Sequence, residues 1–516
     1  MGVNFPYSGL LSIPSKSIVR KSLNSFTVFI YRWVMEKYNY EALSSKYING
    51  TGDVHADINP ANGEVLANIR NMTVNEVKEV IKLAHFSFEK WSRMSSPSRG
   101  RILYKAGEIM EQEKEALAKL MTEEEGKTYN DSLLEVIRSY ELLKFYGSIA
   151  FKYGGSTIPS ADLNTRILTI KKPLGVVGLI TPWNFPLSIP VWKAAPALAM
   201  GNAIVIKPAS KTPLLVAAFL DIMLRAGLPE NSIVLAVGSG KIVGNTIVKS
   251  NEMSAVSFTG SLGVGKEISR MVGEKNRFTR IQLELGGKNA LYVDENADLG
   301  LAVNLALRGS FGLTGQSCTA TSRLIVHKNV YDKVKTGLLD GVKRWKVGNG
   351  LDETTNMGPV VDESQLKTDL DYIEAGKAQG ANLVYGGKQK KNEKSNLFLE
   401  PTIFDSVAPD MKIFREEIFG PVLSITVADN IDEAIDLINS VEYGHTSAII
   451  SKDNTSINRF IEEVETGVIK VNKPTVGLEL QAPFGTLKSS GANTWKEMGE
   501  SALEFYSTEK TVYQGW

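Results

Sequence analysis

Cysteine is almost absent from this sequence of 516 residues: Cys318 is the only one, and only four histidines accompany it. A single cysteine cannot form an intramolecular disulfide, and it excludes a zinc or iron–sulfur site built from several cysteines. We therefore expect no metal site and a reducing compartment, the cytoplasm.

Long apolar runs and excess charge are also missing. No stretch reaches about 18 consecutive apolar residues, the length that a transmembrane helix needs. Lys and Arg number 58 against 57 Asp and Glu, a net charge of +1, so no overall field favours nucleic acid or an anionic membrane as a partner. Apolar residues make up 43%, which indicates a globular protein, and its length predicts about three domains.

The first 34 residues have an unusual composition, with four basic residues, no acidic residue and six serines. This bias resembles a transit peptide, but the segment lacks the continuous apolar region of a secretory signal. Met35 is a plausible start of its own. We interpret residues 1–34 as an over-long start or a disordered tail.

After Met35, short apolar runs alternate with amphipathic helical patterns, which is typical of an α/β fold. Helices are predicted at 74–91 and 100–121. Four strand candidates, each followed by turn residues and a helical pattern, fit βαβ units and a parallel sheet; they lie at 174–182, 203–209, 233–238 and 255–260. A second α/β block follows Glu284, with strands predicted at 289–293, 322–327 and 422–428.

Two further segments, 154–173 and 502–516, show strand patterns outside these sheets. Unpaired strands can pair with another subunit. We therefore expect a homo-oligomer, a dimer or a tetramer.

Small and polar residues surround Cys318 in FGLTGQSCTATS, residues 311–322. A lone cysteine is more often a buried apolar residue, but these neighbours suit an accessible thiol instead. A thiol nucleophile needs a base for the step that frees it. Glu284, at the end of an apolar strand in QLELGGKNA, is the leading candidate.

Two more motifs suggest binding groups. Pro182 and Pro186 bracket Asn184 in TPWNFP and fix the direction of its amide, as an oxyanion donor requires. In SFTGSLGVGK, residues 257–266, a strand runs into a glycine turn that opens a helix, and such helix amides can bind a pyrophosphate. The spacing resembles a P-loop, but Glu267 replaces the magnesium-binding Ser or Thr, which argues against a nucleotidase.

Together these motifs resemble the aldehyde dehydrogenase superfamily, from about residue 46 to the C-terminus. The combination is far more specific than any single motif: TPWNFP, KPAS (207–210), FTGS (258–261), LELGGK (283–288), GQSC (315–318) and EEIFGPV (416–422). The resemblance implies a Rossmann-like cofactor domain, an α/β catalytic domain and a small β oligomerisation flap. On that basis we assign residues 35–153 and 174–285 to the dinucleotide-binding domain, 286–487 to the catalytic domain, and 154–173 and 488–516 to oligomerisation.

The resemblance also implies roles for individual residues. Cys318 would be the nucleophile, Glu284 the general base, Asn184 the oxyanion donor together with the Cys318 backbone N–H, and Lys193 another lysine of the active site. The dinucleotide would contact ten positions, of which the last two face the nicotinamide ribose and ring: Trp183, Lys207, Ala209, Ser210, Gly260, Ser261, Gly265, Leu285, Glu417 and Phe419. Three aromatic residues would line the substrate pocket: Phe185, Trp192 and Phe484.

The implied reaction is oxidation of an aldehyde through a cysteine thiohemiacetal and a thioester, which water then hydrolyses. A non-catalytic dinucleotide-binding paralogue would have lost the cysteine, the glutamate or the asparagine, and all three are present. In a CoA-acylating enzyme CoA replaces water, and the intact Glu284 favours hydrolysis.

Cofactor choice follows from the KPAS segment. Members that prefer NAD commonly carry Glu three residues after the lysine, where it would repel a 2′-phosphate. Here that residue is Ser210, near Lys207 and Lys211. We therefore expect NADP, with NAD as the weaker alternative.

The substrate is predicted from departures within the family. Succinate semialdehyde members tend to carry Arg at the positions of Trp192 and Gly312, and non-phosphorylating glyceraldehyde-3-phosphate members at that of Ser317. The chain most resembles the archaeal members that oxidise 2,5-dioxopentanoate (α-ketoglutarate semialdehyde) to 2-oxoglutarate in pentose oxidation, with Lys473 and Arg166 as candidates for the substrate carboxylate. The alternatives are succinate semialdehyde, glyceraldehyde or its 3-phosphate, and a broad range of aldehydes.

Overall fold

The computed structural model describes residues 37–390, 394–492 and 495–516. The prediction for residues 1–34 lies outside this range. The helices are α1 (Tyr40–Tyr47), α2 (Val74–Arg93), α3 (Ser96–Gln112), α4 (Lys114–Glu125), α5 (Tyr129–Ile149), α6 (Ser188–Met200), α7 (Leu214–Arg225), α8 (Asn245–Lys249), α9 (Leu262–Gly273), α10 (Leu299–Phe311), α11 (Tyr331–Val342), α12 (Glu363–Ala378), α13 (Lys412–Arg415), α14 (Ile431–Asn439), α15 (Asn454–Glu463) and α16 (Ser501–Phe505). A π-helical turn, Gly240–Gly244, precedes α8, and a 3-10 turn, Gly312–Gly315, follows α10.

The strands belong to five sheets. They are β1 (Val54–Ile58), β2 (Val65–Arg70), β3 (Thr157–Ile158), β4 (Thr165–Pro173), β5 (Val176–Ile180), β6 (Ala203–Lys207), β7 (Ile233–Leu235), β8 (Met253–Thr259), β9 (Arg280–Glu284), β10 (Ala290–Val293), β11 (Arg323–His327), β12 (Asn382–Tyr385), β13 (Thr402–Asp405), β14 (Val422–Ala428), β15 (Tyr443–Gly444), β16 (Thr446–Ile450), β17 (Val468–Val471), β18 (Leu487–Lys488) and β19 (Ser507–Gly515). Two small hairpin-like sheets pair β1 with β2 and β15 with β18.

The first large sheet contains the four strands predicted from the first half of the sequence. It is parallel and has the order β7-β6-β5-β8-β9. Every residue of β5 and β6 is buried, because apolar clusters cover both faces of the sheet. The chain leaves β5 to one side towards β6 and later returns to its other side with β8. In open α/β sheets this arrangement creates a binding crevice at the carboxyl ends of the strands.

The second large sheet has seven strands in the order β12-β13-β14-β11-β10-β16-β17. All neighbours are parallel except β12 and β13. In β10, Ala290 and Tyr292 join one apolar cluster while Leu291 and Val293 join the other. This is the alternation that a strand with two covered faces requires. The predicted α/β character of both blocks is confirmed.

The two strand segments outside the main sheets pair with each other within one chain. β4 and β19 are antiparallel over their whole length, from Pro173 opposite Ser507 to Thr165 opposite Gly515, and β3 adds a short third strand. The interpretation of all of 502–516 as strand is wrong, since Ser501–Phe505 is helical and buries Ala502, Leu503 and Phe505. Their apolar spacing suits a helix face packed on the first core. The role of these segments in oligomerisation stays a prediction.

The predicted helix at 100–121 is two helices, α3 and α4, separated at Glu113. The Glu113 carboxylate accepts two hydrogen bonds from the Arg225 guanidinium, at 2.7 and 2.9 Å, and one from the Tyr38 hydroxyl at 2.5 Å. These long-range partners satisfy the carboxylate at the break, and a local amphipathic pattern does not reveal them. In the described part of the chain, no helix has both the length and the apolar character needed to cross a bilayer.

Candidate active site

The carboxyl edge of the first sheet brings most of the predicted site residues together. Trp183 and Asn184 follow β5, Lys207 ends β6, Gly260 follows β8 and Glu284 ends β9. Strands that run parallel place these ends along one edge. The motifs are therefore close in space although about 100 residues separate the first from the last.

A strained turn presents Cys318 to this edge. Leu313, Thr314 and Gly315 have φ values of 53, 57 and 69°, a left-handed conformation that non-glycine residues rarely adopt. A Cβ atom on Gly315 would lie 2.2 Å from the carbonyl oxygen of Gly420, so only glycine fits there. The cysteine turn thus packs directly against the EEIFGPV loop, where Phe419 is itself left-handed, with a φ of 63°. Such strain persists where the surrounding packing imposes it, often at functional sites.

Cys318 is half-buried as a residue, and its sulfur lies near acidic side chains. Burial, followed by the nearby carboxylates of Glu417 and Glu284, raises the pKa of the thiol above its ordinary value. The carbonyl of Cys318 accepts a hydrogen bond of 2.8 Å from the Asn289 amide, which fixes the backbone of the turn. The raised pKa of the thiol disfavours the thiolate, the form that attacks a carbonyl carbon.

Asn184 is 3% exposed, and its side-chain amide nitrogen donates a 3.0 Å hydrogen bond to the carbonyl of Gln316. This bond connects the TPWNFP loop to the turn that carries Cys318. An amide nitrogen has two protons, so one remains for the oxygen of a substrate. The geometry suits the predicted oxyanion donor.

A buried ionic cluster that the sequence analysis did not identify supports this loop. The Lys127 ammonium donates a hydrogen bond of 2.6 Å to the Asn184 carbonyl and one of 2.8 Å to the Glu135 carboxylate. Glu135 in turn accepts the backbone N–H groups of Leu187 and Ser188, at 3.0 and 2.9 Å, where α6 begins. Lys127 and Glu135 thus bind the backbone before and after Phe185.

Replacing Lys127 with Met is expected to destabilise the protein by about 3–5 kcal/mol, because it leaves buried carboxylates without their cation. Urea unfolding would measure the loss. Lys152→Met is the matched control, since Lys152 forms an exposed ion pair with Glu500 that should contribute about 1 kcal/mol or less. The double variant Lys127→Met/Glu135→Leu should recover part of the loss, and equal destabilisation by the two single lysine variants would contradict this account.

Glu284 is 3% exposed, and its Oε2 has no hydrogen-bond partner within the described residues. Burial and then the neighbouring Glu497 carboxylate raise the pKa of Glu284 well above its usual range, while Lys193 opposes the shift. The Lys193 ammonium pairs with Glu497 and donates 2.8 Å to the Ser257 hydroxyl. The predicted base therefore lies beside a buried ion pair, with one oxygen available to a water molecule.

Glu497 had no recognisable signal in the sequence, and it lies in the segment that we assigned to oligomerisation. Isolated bridges from Phe484 to Glu497 and from Glu284 to Gly491 bring this stretch against the first sheet. At least this part of 488–516 therefore contributes to the candidate active site.

The EEIFGPV loop, predicted to contact the nicotinamide, packs against the glycines of LELGGK. Oε1 of Glu417 accepts a 2.8 Å hydrogen bond from the Gly287 amide, and a Cβ atom on Gly286 would lie 1.9 Å from the other Glu417 oxygen. Burial raises the pKa of Glu417 to about 7. The rings of Trp183 and Phe419 meet edge to face, with their centroids 5.4 Å apart.

The other residues predicted to bind the dinucleotide include a buried cation and the start of a helix, together called the dinucleotide cradle. Lys207 is 5% exposed, donates to the Pro208 carbonyl at 2.9 Å and forms no ion pair with any described residue; burial lowers its pKa to about 8. Ser261 precedes α9 without capping it by its side chain, so the first amides of that helix stay available to a phosphate. Gly265 packs closely on Leu285, because a Cβ atom there would lie 2.6 Å from that side chain. A buried cation without a counter-charge fits a dinucleotide.

Ser210 and Lys211 lie beyond this cradle, and Ala209 precedes them. The Ser210 hydroxyl donates a hydrogen bond of 3.1 Å to the Gly238 carbonyl. Lys211 forms an ion pair with Asp362 and lies 5.5 Å from the centre of the Trp183 ring. The contribution of Lys211 to a 2′-phosphate site stays a prediction, and its ion pair with Asp362 is partly exposed.

Two of the predicted pocket aromatics are in contact, and the third joins the same apolar cluster. The ring centroids of Trp192 and Phe484 are 6.0 Å apart, while Phe185 packs against this cluster and lies 4.9 Å from the Lys127 ammonium. Arg166 is not brought to the pocket; it is exposed on β4 and donates 2.6 Å to Gln514 in the three-stranded sheet. Lys473 is exposed just after β17.

Comparisons with known proteins agree with this geometry. The aldehyde dehydrogenase family model matches residues 47–512. The 2,5-dioxopentanoate dehydrogenase of Saccharolobus solfataricus is 63% identical over 93% of this chain and 100% of its own length. The α-ketoglutarate semialdehyde dehydrogenase of Haloferax volcanii is 41% identical over 92% of this chain and 99% of its own.

A solved structure shares the fold. The crystal structure of betaine aldehyde dehydrogenase from Staphylococcus aureus in complex with NAD+ superposes with a TM-score of 0.86 at 35% identity, covering 90% of this chain and 92% of that one. Members of the family are NAD(P)-dependent oxidoreductases. The predicted fold class is confirmed, and the chain belongs to the aldehyde dehydrogenase family.

Proposed function

We propose that the protein oxidises 2,5-dioxopentanoate to 2-oxoglutarate with NADP as the electron acceptor. The chemistry is supported by one arrangement, in which Cys318 is flanked by the Asn184 amide, through Gln316, and by the Glu284 carboxyl group. The choice of substrate is supported by 63% identity to a 2,5-dioxopentanoate dehydrogenase over nearly the whole chain.

In the first step the Cys318 thiol gives its proton to a water molecule, and the resulting thiolate adds to the aldehyde carbon. The carbonyl oxygen becomes an oxyanion, which the free N–H of Asn184 and the backbone N–H of Cys318 stabilise. Lys127 and Glu135 hold the backbone around this amide, so the donor does not have to reorganise as charge develops. The nicotinamide, when bound, supplies the acceptor for the hydride that leaves the substrate carbon.

The acyl group then remains on Cys318 as a thioester, and water must remove it. Glu284, once ionised, takes a proton from that water as the oxygen attacks the acyl carbon. The C–S bond breaks, the sulfur leaves as a thiolate and the carboxylic acid is released. The Lys193–Glu497 ion pair beside Glu284 tunes this base, since Lys193 favours its ionised form and Glu497 opposes it.

The preference for NADP is supported by Ser210, where a carboxylate would repel a 2′-phosphate, and by the unpaired Lys207 ammonium. Replacing Ser210 with Glu is expected to shift preference towards NAD. A repulsion of about 1.4 kcal/mol would already lower kcat/KM for NADP tenfold. The measurement is the ratio of kcat/KM for NADP to kcat/KM for NAD in both proteins, with Ser210→Gln as the uncharged control. An unchanged ratio in Ser210→Glu would mean that other residues select the cofactor.

We also propose a cytoplasmic homo-oligomer, a dimer or a tetramer. One cysteine in 516 residues suits a reducing compartment. The three-stranded sheet leaves the outer edges of β3 and β19 without a strand partner in the described chain, and such edges are commonly covered by another subunit.

The proposed function is tested with a panel of aldehydes at fixed NADP and then at fixed NAD. We expect the highest kcat/KM for 2,5-dioxopentanoate, above succinate semialdehyde, glyceraldehyde, glyceraldehyde 3-phosphate and pentanal. The product should be 2-oxoglutarate without any requirement for CoA. A higher kcat/KM for another aldehyde of the panel, or turnover that depends on CoA, would contradict the proposal.

A further inference from the structure

Two buried polar groups at the start of α6 have no hydrogen-bond partner within the described chain. They are the Ser188 hydroxyl and the Trp192 indole nitrogen, on side chains 0% and 4% exposed. Buried polar groups almost always have partners, so these two donors can still bind an acceptor. Residues four apart lie on one face of a helix, and both groups therefore belong to the same face of α6.

That face begins beside the reacting centre. Ser188 follows Asn184 by four residues, and its backbone N–H is bound by Glu135, in the cluster that holds the Asn184 carbonyl. Trp192 lies one turn further along, against Phe484, which in turn lies 5.3 Å from the ring of His445. The bonds of Glu135 and Lys127 thus connect this face to the Asn184 loop, where the substrate oxygen is expected to bind.

A cation lies on the helix opposite. Arg138 is one turn after Glu135 on α5 and forms neither a hydrogen bond nor an ion pair with the described residues; Glu135, Glu479 and Glu141 act on it only at longer range. Burial lowers the pKa of its guanidinium from the ordinary value. On the other side, Lys470 is engaged with the carbonyls of Val476 and Gly477, in the loop that leads to Phe484. Of these two cations, Arg138 is the one with free donors.

We propose that Arg138, Ser188 and Trp192 bind the end of the substrate remote from the aldehyde. The Arg138 guanidinium binds the carboxylate, and the Ser188 hydroxyl and the Trp192 N–H donate to the neighbouring 2-oxo oxygen. This inference rests on the proposed function, because 2,5-dioxopentanoate carries those two groups on adjacent carbons. It replaces Arg166, which the structure places on β4, as the candidate for the carboxylate.

The chemistry explains the selectivity that we expect. A 2-oxo acid fills all three donors, whereas 5-oxopentanoate has the same chain length and the carboxylate but no 2-oxo group. Pentanal lacks both groups. Discrimination by buried donors is strong, because a substrate without the acceptor leaves them unpaired in the complex.

Three variants test the assignment with these three aldehydes. Ser188→Ala and Trp192→Phe each remove one donor and keep most of the packing, and we expect each to lower the kcat/KM ratio of 2,5-dioxopentanoate to 5-oxopentanoate about tenfold. Arg138→Met keeps the length of the side chain without its charge. It should lower the ratio of 5-oxopentanoate to pentanal by roughly 10- to 100-fold. Ser148→Ala and Arg93→Met, in exposed positions of α5 and α2, are matched controls that should leave both ratios unchanged.

The outcomes separate this inference from the proposed function. Unchanged ratios in the three variants, or a loss that is equal for all three aldehydes, would overturn the assignment of these donors. If the wild-type enzyme itself shows no preference for 2,5-dioxopentanoate over pentanal, the proposed function fails instead. Turnover of pentanal reports in each variant that the protein is folded.

Discussion

Replacing Cys318 with serine is expected to reduce aldehyde turnover to below about 1% of the wild-type rate, because a hydroxyl is a far poorer nucleophile than a thiol near neutral pH. The dinucleotide cradle around Lys207 and α9 does not include the sulfur, so NADP should bind the variant with nearly unchanged affinity. Steady-state kinetics and fluorescence titration with NADPH measure the two quantities.

The uniqueness of the cysteine gives an independent check. One equivalent of a thiol reagent should label the wild-type protein, and the fraction labelled should equal the fraction of activity lost. Protection by aldehyde would place the label in the active site. Turnover above a few per cent in Cys318→Ser, or full activity after complete labelling, would contradict the role of Cys318 as nucleophile.

Replacing Glu284 with glutamine should slow deacylation far more than acylation, since the carboxylate is needed to take a proton from water. A rapid burst of NADPH followed by a slow steady state is expected in a stopped-flow experiment, with a burst amplitude close to the enzyme concentration. A slow first turnover without a burst would indicate that Glu284 activates the thiol instead.

The pH dependence of the deacylation rate tests whether Glu284 is the general base. Its pKa is raised by burial and by Glu497, so the fraction in the ionised form grows as the pH rises through that raised value. The deacylation rate of the wild-type enzyme should rise with pH over the same interval, and that of Glu284→Gln should lack this rise. Identical profiles for the two proteins would assign the titration to another group.

Local sequence patterns were sufficient to predict the buried strands of the first sheet. The apolar runs that became β5, β6 and β8 are buried at all positions but one, and the polar motifs that follow them lie at the carboxyl edge because parallel strands end there. The motif residues were therefore placed at one edge of the sheet by topology alone.

Lys127, Glu135 and Glu497 were missed for a physical reason. Each is one charged residue within a helical or loop pattern and would ordinarily be assigned to a solvated surface. Their burial follows from long-range contacts, such as the bond from Lys127 to the Asn184 carbonyl and the bridge between Phe484 and Glu497. The break at Glu113 has the same origin, since its partner Arg225 lies 112 residues further along the chain.

Nearness in sequence did not reveal the different surroundings of Lys207 and Lys211. Lys207 ends a strand and is buried, while Lys211 has moved past the turn to pair with Asp362. The candidates for the carboxylate were chosen by charge alone, and Arg166 proved to be part of the three-stranded sheet. The polar groups of Arg138, Ser188 and Trp192, which lack hydrogen-bond partners in the described chain, become visible only when such partners are traced in three dimensions.

The central claim is that the substrate is oxidised while bound covalently to Cys318 and is released by water that Glu284 activates. The most direct test is intact-protein and peptide mass spectrometry of Glu284→Gln after it is mixed with NADP and 2,5-dioxopentanoate. The account predicts a mass increase equal to 2-oxoglutaric acid less one water, located on the peptide that contains Cys318 and absent without NADP. No adduct despite a full NADPH burst, or an adduct on another residue, would contradict it.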